Sequence, residues 1–600
     1  MTVPDIHSLD ADSLLRSRKR LRRELRAENS QLRPLRPPRP LRIAVLGGTT
    51  TNELVDLLEL MLLADGFDPS FYQSEYNRFF EDATLDTQRI ADFEPDLVYV
   101  HTHVVNITRF PAPSFTQAEL DARVLDELER YKTIWQSLRD TVKCQVIQNN
   151  FELPAFPPLG NLDGISTGGR TRFVNELNRE FAICANTDGR LIIQDINALS
   201  ARIGLTRWFD HDRWFSYKIL TTPEASHAMA LSLASLVGAM FGKARKVLVL
   251  DLDNTCWGGV IGDDGVDKLQ IGRETALGEA YTAFQQYALD LRHRGVLLAV
   301  CSKNDDAVAR TGFQHPDSVL KLEHFSGFKA NWQPKHENIK ALASELNLGL
   351  ESFVFIDDNP AERAIVQAQL PMVAVPDVGD DVVRFPGIIQ AGRYFEIVAL
   401  SKEDLGRADA YSANAARSAV QAKFANYGEY LDSLAMTAEI APFKPVYMER
   451  IAQLINKTNQ FNLTTRRYTQ AEVEQIAADP SRVGLYGRLT DAFGDNGLIS
   501  VIIGHLEGTV LDIDLWIMSC RVLKRDMELA MLDALALRAR AAGADRLRGH
   551  YIRSAKNDMV ADHYRTLGFE LDPAGSSDPG HSVWTLALAA YVPQNTHIKF

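Results

Sequence analysis

Short apolar runs alternate with longer segments of helical periodicity through the first two thirds of the chain. An apolar run of four or five residues has the length of a buried strand, and apolar residues spaced three and four apart indicate a helix that packs on a sheet. This alternation predicts doubly wound parallel α/β architecture. Between residues 41 and 242 the predicted strands are 43–46, 96–100, 145–147 and 191–194, and the clearest helices are 51–64 and 118–138.

The same alternation continues to residue 376, and a different order of elements follows. Two helices, 402–417 and 423–435, are predicted to connect it to an α+β region with a hairpin around Asp495-Asn-Gly497. The other elements predicted in that region are strands 437–440, 510–516 and 547–550 and helices 447–457, 526–541 and 558–567. We therefore expect an α/β multidomain chain divided into segments 1–40, 41–242, 243–376, 377–437 and 438–600.

The first segment is strongly basic. A predicted helix, 8–29, carries leucines among its arginines, and a Pro-rich linker with further arginines follows. Such a surface could dock an acidic partner; alternatively, it is a solvated helix whose leucine stripe packs on the next domain. The leucines are Leu14, Leu21 and Leu25, and the linker arginines are Arg33, Arg36, Arg39 and Arg42.

Composition narrows the class of protein. With 46% hydrophobic and 24% charged residues in 600, the chain has the make-up of a soluble globular protein with several cores. No apolar run is long enough to cross a bilayer, and the polar N-terminus predicts no signal peptide. Five scattered cysteines favour reduced thiols in a cytoplasm and no structural zinc. The net charge of −13 disfavours general nucleic-acid binding.

Charged and polar residues follow four apolar runs in segment 243–376. Because ligands bind at the carboxyl ends of parallel strands, these residues are expected to converge. They are Asp251 and Asp253 after 246–250, Ser302 and Lys303 after 296–300, Lys335 at the end of 332–335 and just before a helix, and Asp357 and Asp358 after 353–356.

This set of residue types predicts phosphoryl transfer with Mg²⁺. Hard oxygen ligands for the metal are available from Asp251, the Asp253 carbonyl and the pair Asp357 and Asp358. Asp251 is predicted to be the phosphoryl nucleophile and Asp253 the acid and base. A hydroxyl from Ser302 and an ammonium from Lys335 would hold the phosphate.

The order of these motifs resembles the haloacid dehalogenase superfamily, and longer strings resemble its FkbH-like branch over roughly residues 40–600. The strings are Asp251-Leu-Asp-Asn-Thr-Cys-Trp-Gly-Gly-Val-Ile-Gly262, Cys301-Ser-Lys-Asn304, Asn331-Trp332…Lys335, Phe355-Ile-Asp-Asp-Asn-Pro360, Ile455-Asn-Lys-Thr-Asn-Gln-Phe-Asn-Leu-Thr-Thr-Arg466 and Met518-Ser-Cys-Arg521. The resemblance implies a capless Rossmann-type phosphatase domain in which Thr255, Lys303, Asn304 and Asn331 contact substrate.

By the same resemblance, such proteins remove the phosphates of 1,3-bisphosphoglycerate and hold the glyceryl group as a thioester, here on Cys256. They then pass it to the phosphopantetheine thiol of an acyl carrier protein for polyketide-type biosynthesis. A plain Mg²⁺-dependent phosphatase and a non-catalytic carrier-binding scaffold are the alternatives.

Cys256 allows two interpretations. Cysteine is often a small buried hydrophobe, but this one follows the Asp-rich turn directly and could be a nucleophile. A metal and a helix N-terminus would lower its pKa, whereas Asp251 and Asp253 would raise it, so the direction stays open. Cys301 and Cys520 are expected to be structural.

The spacing of the motifs predicts an open site. Between Asp253 and Ser302 there is room for a flap, 257–271, and one helix, but not for a cap domain. Such an open site would suit a large co-substrate.

The first α/β segment resembles SGNH hydrolases in layout, but Gly47-Gly-Thr49-Thr50 stands where the nucleophilic serine motif would be. Asn149-Asn150 lies where an oxyanion-hole Asn is plausible, and Phe209-Asp-His211-Asp is the nearest approach to an Asp-x-x-His pair. Because a triad needs nucleophile, base and orienter together, we expect an inactive binding or scaffolding domain.

The last segment resembles GNAT acyltransferases. Its counterpart of the CoA pyrophosphate loop, Arg521-Val-Leu-Lys524-Arg525-Asp526, lacks the glycines that let backbone N–H groups approach phosphate. Contacts with a carrier protein or its pantetheine arm are therefore the hypothesis for this region, and a structural turn is the alternative. The candidate contacts are Asn459, Gln460, Asn462, Arg521, Lys524 and Arg525.

Overall fold

A computed structural model of the chain describes residues 6–32, 38–421, 424, 426–554, 556–576 and 580–600. The chain divides into two compact units, 1–238 with 468–475 and 239–467 with 476–600. No helix in the described ranges combines the length and apolarity needed to cross a bilayer.

The first unit is built on a five-stranded parallel sheet with the order β2-β1-β3-β4-β5. Its strands are β1 (Arg39–Gly47), β2 (Phe67–Gln73), β3 (Leu97–His101), β4 (Gln145–Asn149) and β5 (Leu191–Gln194). Its helices are α1 (Ala11–Leu32), α2 (Asn52–Ala64), α3 (Phe79–Thr84), α4 (Thr87–Phe93), α5 (Gln117–Thr141), α6 (Arg170–Thr187), α7 (Ile196–Ile203), α8 (Leu205–Trp208), α9 (His211–Tyr217) and α10 (Pro223–Met240). The predicted parallel α/β arrangement is confirmed, and β2 is an additional strand at the sheet edge.

Helix α1 buries its leucine stripe against α2. Leu14, Leu21 and Leu25 are at most 5% exposed. Arg22 forms ion pairs with Asp56 and Glu59 of α2, at 2.8 and 2.6 Å. Acidic residues of α2 therefore face part of the basic surface, and the burial of the leucines agrees with the packing interpretation. Of the linker arginines, Arg33 and Arg36 lie outside the described residues, and Arg39 already belongs to β1.

The second unit begins with a four-stranded parallel sheet with the order β8-β7-β6-β9. Its strands are β6 (Val247–Leu250), β7 (Leu297–Ser302), β8 (Phe325–Ala330) and β9 (Phe353–Ile356). Its helices are α11 (Ile261–Asp264), α12 (Ala276–His293), α13 (Asp306–Thr311), α14 (Lys335–Glu345), α15 (Pro360–Gln369) and α16 (Phe385–Ala391). The segment between β6 and β7 contains only short turns, α11 and α12, so there is no cap domain there.

Three helices connect this sheet to the last region. They are α17 (Lys402–Leu405), α18 (Arg407–Gln421) and α19 (Tyr427–Ser433). The predicted helix 423–435 starts later than expected, and its residues 423 and 425 are outside the described ranges.

The last region is a seven-stranded mixed sheet with the order β10-β11-β12-β13-β14-β16-β15. The strands are β10 (Thr437–Pro442), β11 (Arg482–Asp491), β12 (Gly494–Glu507), β13 (Val510–Met518), β14 (Arg546–Ile552), β15 (Glu570–Asp572) and β16 (His581–Ala587). The helices are α20 (Met448–Lys457), α22 (Met527–Ala541) and α23 (His563–Thr566). Between α20 and β11 the chain forms α21 (Gln470–Ala478), of which residues 470–475 belong to the first unit.

In this region the predicted hairpin is present but its turn is displaced, and one predicted helix was wrong. The hairpin between β11 and β12 turns at residues 492–493, so Asp495-Asn-Gly497 lies inside β12, where the strand pairing is irregular. The predicted helix 558–567 is instead a 3₁₀ turn at Asp558–Val560 followed by the short α23. The periodic apolar residues in that stretch, Val560, Tyr564 and Leu567, are nevertheless buried.

Strands β13 and β14 diverge toward their carboxyl ends. Their parallel pairing runs only from Val510 with Arg546 to Ile513 with Gly549. Residues 461–463 enter the resulting gap: Leu463 N donates to Trp516 O at 3.2 Å and Ile552 N donates to Leu463 O at 2.8 Å. The chain thus closes the divergence with its own backbone.

Candidate active site

The carboxyl edge of the β6 sheet collects the predicted residues, as parallel topology requires. Asp251 follows β6 directly, Ser302 is the last residue of β7, and Asp357 follows β9. Lys335 is the first residue of α14, a few residues beyond β8. All four are at most 7% exposed, so the site is a recessed group of charges and a hydroxyl.

Three carboxylates and one ammonium form its centre. Carboxylate oxygens of Asp251, Asp357 and Asp358 lie within 4.8 Å of one another, a group able to hold a cation. Lys335 Nζ lies 3.0 Å from Asp251 Oδ2 and 2.5 Å from Asp357 Oδ2. The other Asp251 oxygen, Oδ1, is buried and has no hydrogen-bond partner among the described residues.

An orphaned carboxylate oxygen beside two further carboxylates fits Mg²⁺, which takes hard oxygen ligands. Buried polar atoms are otherwise nearly always hydrogen-bonded. The donor set is therefore suited to the predicted metal, with Asp251, Asp357 and Asp358 as the side chains that would hold it.

The charges perturb one another. Burial alone would lower the pKa of Lys335, but the charges of Asp251 and Asp357 outweigh burial and raise it. Burial and the Asp251 charge raise the pKa of Asp357 to about 6, although Lys335 acts in the opposite direction. Lys335 is thus a fixed positive charge that holds two carboxylates together.

The Asp253 carboxylate lies outside the cation-binding group. Its Oδ1 accepts hydrogen bonds from Trp257 Nε1 at 3.0 Å and Ile261 N at 3.1 Å, and its Oδ2 accepts one from Asn304 Nδ2 at 2.9 Å. Burial raises its pKa, which favours a carboxyl group able to donate a proton. Of the two oxygen-bearing groups of Asp253, the backbone carbonyl stays a predicted metal ligand and the carboxylate does not.

The residues predicted to contact substrate instead hold other groups of the site. Thr255 Oγ1 donates to Asp358 Oδ1 at 3.2 Å, and Lys303 pairs with Glu362 at 2.6 Å. Asn331 exchanges side-chain hydrogen bonds with Asn338, which fixes the loop that leads to Lys335. Together with Asn304, these residues support the site in this conformation, and their substrate contacts stay a prediction.

Cys256 is fully buried in the apolar core beside the sheet. Its Sγ donates to Asp251 O at 3.1 Å. Burial, followed by the charges of Asp251 and Asp253, raises the pKa of the thiol well above its usual value. The charges of Asp251 and Asp253 thus act on the thiol in the direction expected from the sequence, and burial adds to their effect. Cys301 is also buried, and Cys520 contacts Tyr411.

Two residues of the site were missed in the sequence. Arg363 Nη1 donates to the carbonyls of Asp357 and Asp358, at 2.8 and 2.7 Å, and so fixes the turn that presents both carboxylates. The indole of Trp257 holds Asp253. The sequence did contain a signal for each of them. Arg363 lies in the first helical turn after Asn359-Pro360, and Trp257, which carries an indole N–H donor, follows Asp253 by four residues.

At the corresponding edge of the first unit, the polar residues singled out in the sequence make local contacts, and a buried pair, His103 with Glu152 at 3.1 Å, lies just beyond β3. The Asn149 side chain binds both the N–H and the carbonyl of Thr102, and the Asn150 amide donates to Asp195 Oδ1 at 2.8 Å. Asp210 caps α9 through the Arg213 N–H. These side chains serve local structure, and the inactivity expected of this domain stays a prediction.

The predicted carrier contacts separate into two groups. Asn459, Gln460 and Arg521 line one cavity. Asn462, Lys524 and Arg525 do not: Asn462 is buried in the gap between β13 and β14, and Arg525 is buried against Asp491 at 2.8 Å. The loop nevertheless keeps left-handed backbone at Lys524 and Asp526, with φ of 64° and 56°.

Comparison with known proteins gives one informative match. No protein-family model matches the chain, and no curated protein does. The N-terminal part of the protein BF1531 from Bacteroides fragilis, which contains a phosphatase domain complexed with Mg, shares 27% identity with a TM-score of 0.58. The match covers 64% of this chain and 99% of that one. A phosphatase domain and its metal thus agree with the phosphoryl chemistry and cofactor predicted from the sequence.

Acetyltransferases match the chain far more weakly. Ard1 from Thermoplasma volcanium and a GNAT-family acetyltransferase from Streptococcus pneumoniae share 20% and 13% identity, each with a TM-score of 0.20. Each match covers 25% of this chain and nearly all of the other protein, 97% and 98%. At that TM-score the matches support no conclusion about the last region, and its GNAT-like assignment stays a prediction.

Proposed function

We propose that this chain is a Mg²⁺-dependent phosphatase of the haloacid dehalogenase type with Asp251 as its nucleophile. One observation carries the proposal: Lys335 holds one oxygen of Asp251, while the other, Oδ1, is buried and unpartnered within the described structure. A carboxylate held by Lys335 in this way is oriented both for attack on a phosphorus atom and for contact with a metal. The likeness to a structure with a phosphatase domain and bound Mg adds support.

The reaction follows from these groups. Asp251 attacks phosphorus with one carboxylate oxygen, the ester P–O bond breaks, and Asp253 gives its proton to the leaving oxygen. Water then attacks the phosphorus of the aspartyl phosphate, Asp253 takes up the proton, and phosphate leaves with Asp251 restored. Asp253 reaches the substrate by turning away from Trp257 and Asn304. Mg²⁺, when bound by Asp251, Asp357 and Asp358, supplies positive charge that offsets the phosphoryl oxygens.

The test is phosphate release from p-nitrophenyl phosphate with Mg²⁺ by wild type and Asp251→Asn. Loss of the nucleophile is expected to lower kcat by about 10³-fold or more while the near-isosteric side chain preserves the fold. Asp263→Asn, on exposed α11, is the matched control and should keep wild-type activity. Activity in Asp251→Asn within tenfold of wild type would reject Asp251 as nucleophile. If the wild-type protein releases no phosphate in the presence of Mg²⁺, the phosphatase proposal is rejected and the non-catalytic scaffold is the remaining alternative.

We further propose that the substrate is 1,3-bisphosphoglycerate and that Cys256 carries the glyceryl group to the phosphopantetheine thiol of an acyl carrier protein. The Cys256 sulfur would attack the acyl carbon, the bond to the acyl phosphate oxygen would break, and the thiol proton would leave with phosphate. The sequence strings quoted above and the position of the thiol beside Asp251 support this step. Because the thiol is buried, residues 255–260 must move to expose it.

Mass spectrometry of the intact protein and its peptides tests this second step. Wild type is incubated with Mg²⁺ and enzymatically generated 1,3-bisphosphoglycerate beside Cys256→Ala and, as a matched thiol control, Cys184→Ala. A glyceryl adduct is expected on the Cys256 peptide, absent in Cys256→Ala, retained in Cys184→Ala and transferable to a holo carrier protein. Phosphate release without any adduct would leave the plain phosphatase and assign Cys256 to packing.

A further inference from the structure

A cavity lies at the opposite end of the β6 sheet from the carboxylates. Lys246, which directly precedes β6, and residues of the connecting helices and the last region line it. We call it the cationic cavity after its five basic residues, Lys246, Arg407, Arg450, Lys457 and Arg521. Strand β6 separates Lys246 from Asp251, so at about 3.3 Å per residue the two sites lie more than ~13 Å apart.

Three carboxylates among the lining residues only partly balance the five cations. Asp404 pairs with Arg407 and, at 2.9 Å, with Lys457. Glu351 is engaged by Lys556 at 2.8 Å. The third carboxylate, Glu403, comes no nearer than 3.8 Å to Arg450. A surplus of positive charge therefore remains in a chain whose net charge is −13.

Three of the cations lack a close acidic partner. Lys246 Nζ donates to Lys457 O at 3.1 Å, and Arg521 Nε donates to Ser519 Oγ at 3.3 Å; within the described ranges neither residue forms an ion pair. The Arg450 side chain is 12% exposed, and its Nε is buried without a hydrogen-bond partner in the described part of the chain. Because buried N–H donors are nearly always hydrogen-bonded, N–H groups without a partner at a cavity wall indicate that a ligand supplies the acceptor.

The arginines also repel one another. Burial and the charge of Arg407 lower the pKa of Arg521, and burial and the charge of Arg521 lower the pKa of Arg450. Burial lowers the pKa of Lys246 to about 8. Buried charge without a counter-charge is unfavourable, and an anion in the cavity would remove the penalty.

We propose that the cationic cavity binds the phosphate group of a small organic molecule, at a site separate from the phosphoryl site. Guanidinium groups bind phosphate oxygens through paired N–H donors, and Arg450 and Arg521 both offer unused ones. Asn459 and Gln460 add amide groups, and Leu454 and Phe461 add an apolar wall for the carbon skeleton. A free phosphate ester and a phosphopantetheine arm share this chemistry.

Isothermal titration calorimetry of the full chain tests the proposal. It is run in EDTA, to suppress metal-assisted phosphate binding at Asp251, with three probes: inorganic phosphate, 4′-phosphopantetheine and unphosphorylated pantetheine. Both phosphorylated probes are expected to bind and pantetheine to bind at least tenfold more weakly. If phosphopantetheine binds much more tightly than inorganic phosphate, the phosphopantetheine arm is the ligand. If the two probes bind with equal affinity, the ligand is a free phosphate ester. Equal binding of pantetheine and phosphopantetheine would overturn the proposal.

Variants locate the binding. Arg521→Gln and Arg450→Gln should each weaken phosphate binding at least tenfold and leave Mg²⁺-dependent phosphatase activity intact. Arg538→Gln, an exposed arginine on α22, is the matched control and should bind as wild type does. Glu403→Gln removes a carboxylate from the wall and should tighten phosphate binding, a gain that misfolding cannot imitate. Wild-type affinity in both arginine variants, or weaker binding in Glu403→Gln, would overturn the proposal.

Discussion

Two clefts of the second unit lie where strands end or diverge, and the chain treats them in opposite ways. At the carboxyl edge of the β6 sheet, Asp357, Asp358 and Lys335 lie beside Asp251, whose Oδ1 has no hydrogen-bond partner in the described structure. Between β13 and β14, residues 461–463 supply the missing strand contacts, and Leu463 is fully buried. One cleft is left incomplete for a ligand, and the chain completes the other itself.

The difference teaches where fold and function separate. An open sheet edge or a divergence between two strands can accommodate a ligand. Another segment of the same chain can occupy that space equally well and satisfy the exposed backbone groups with its own hydrogen bonds. A site is therefore recognised by unsatisfied groups of the right chemistry, as at Asp251. The divergence between β13 and β14 alone does not indicate that the last region binds an acyl donor.

The largest effect should come from breaking the charge balance of the open cleft. Without Mg²⁺, Lys335→Met leaves three carboxylates facing one another, and we expect a loss of about 3–5 kcal/mol in the free energy of unfolding. Mg²⁺ should restore part of it, since a bound cation replaces the ammonium charge. The measurement is urea unfolding with and without Mg²⁺, followed at the transition that Mg²⁺ shifts.

Lys303→Met is the control for that experiment. Lys303 is 39% exposed in its pair with Glu362, and such surface pairs contribute about 1 kcal/mol or less. A Lys335→Met protein as stable as Lys303→Met in EDTA would show that the carboxylates do not depend on the ammonium.

The closed cleft should be broken by Leu463→Ala. Truncation of a fully buried leucine costs about 2–5 kcal/mol, and here it also loosens the segment between β13 and β14. Leu537→Ala, on the exposed face of α22, should change stability by less than ~0.5 kcal/mol. Thermal unfolding of both variants measures the effect. Acetyl-CoA should not raise the Tm of the wild-type protein, and a clear rise would show that the segment gives way to a ligand.

A smaller effect is expected from Arg363→Gln, which removes the donor that binds the carbonyls of Asp357 and Asp358. Groups that orient metal ligands typically change metal affinity by about 10- to 100-fold. We expect Mg²⁺ binding, measured by calorimetry, to weaken by that factor while kcat at saturating Mg²⁺ stays near wild type. Arg310→Gln, which removes an exposed pair with Asp306 on α13, should leave Mg²⁺ affinity unchanged. Equal affinities in the two variants would remove Arg363 from the site.

Much of the open cleft could be predicted because its residues directly follow apolar strands. Parallel topology then brings Asp251, Ser302 and Asp357 to one edge regardless of loop detail. Strand β2 escaped prediction because Asp68 and Pro69 interrupt its apolar pattern, which an edge strand tolerates.

Side-chain direction within a turn could not be predicted. Asn254 has a left-handed φ of 54°, and the turn folds back so that Cys256 N donates to Leu252 O at 2.7 Å. This places the thiol in the core, although the residue is only five positions from the predicted nucleophile. The self-closure of the last cleft was equally hidden, because it joins segments far apart in sequence.

The contact between Trp257 and Asp253 gives the protein an optical signal. The indole N–H donates to the carboxylate that must turn toward the substrate, and the ring also packs edge-on against Phe313 at a centroid distance of 5.2 Å. When Asp253 turns away, the indole N–H loses its hydrogen-bond acceptor, and the emission spectrum of Trp257 is expected to change. The emission of Trp257 is obtained by subtracting the fluorescence spectrum of Trp257→Phe from that of the wild-type protein. This difference spectrum therefore reports the orientation of the Asp253 side chain without an added label.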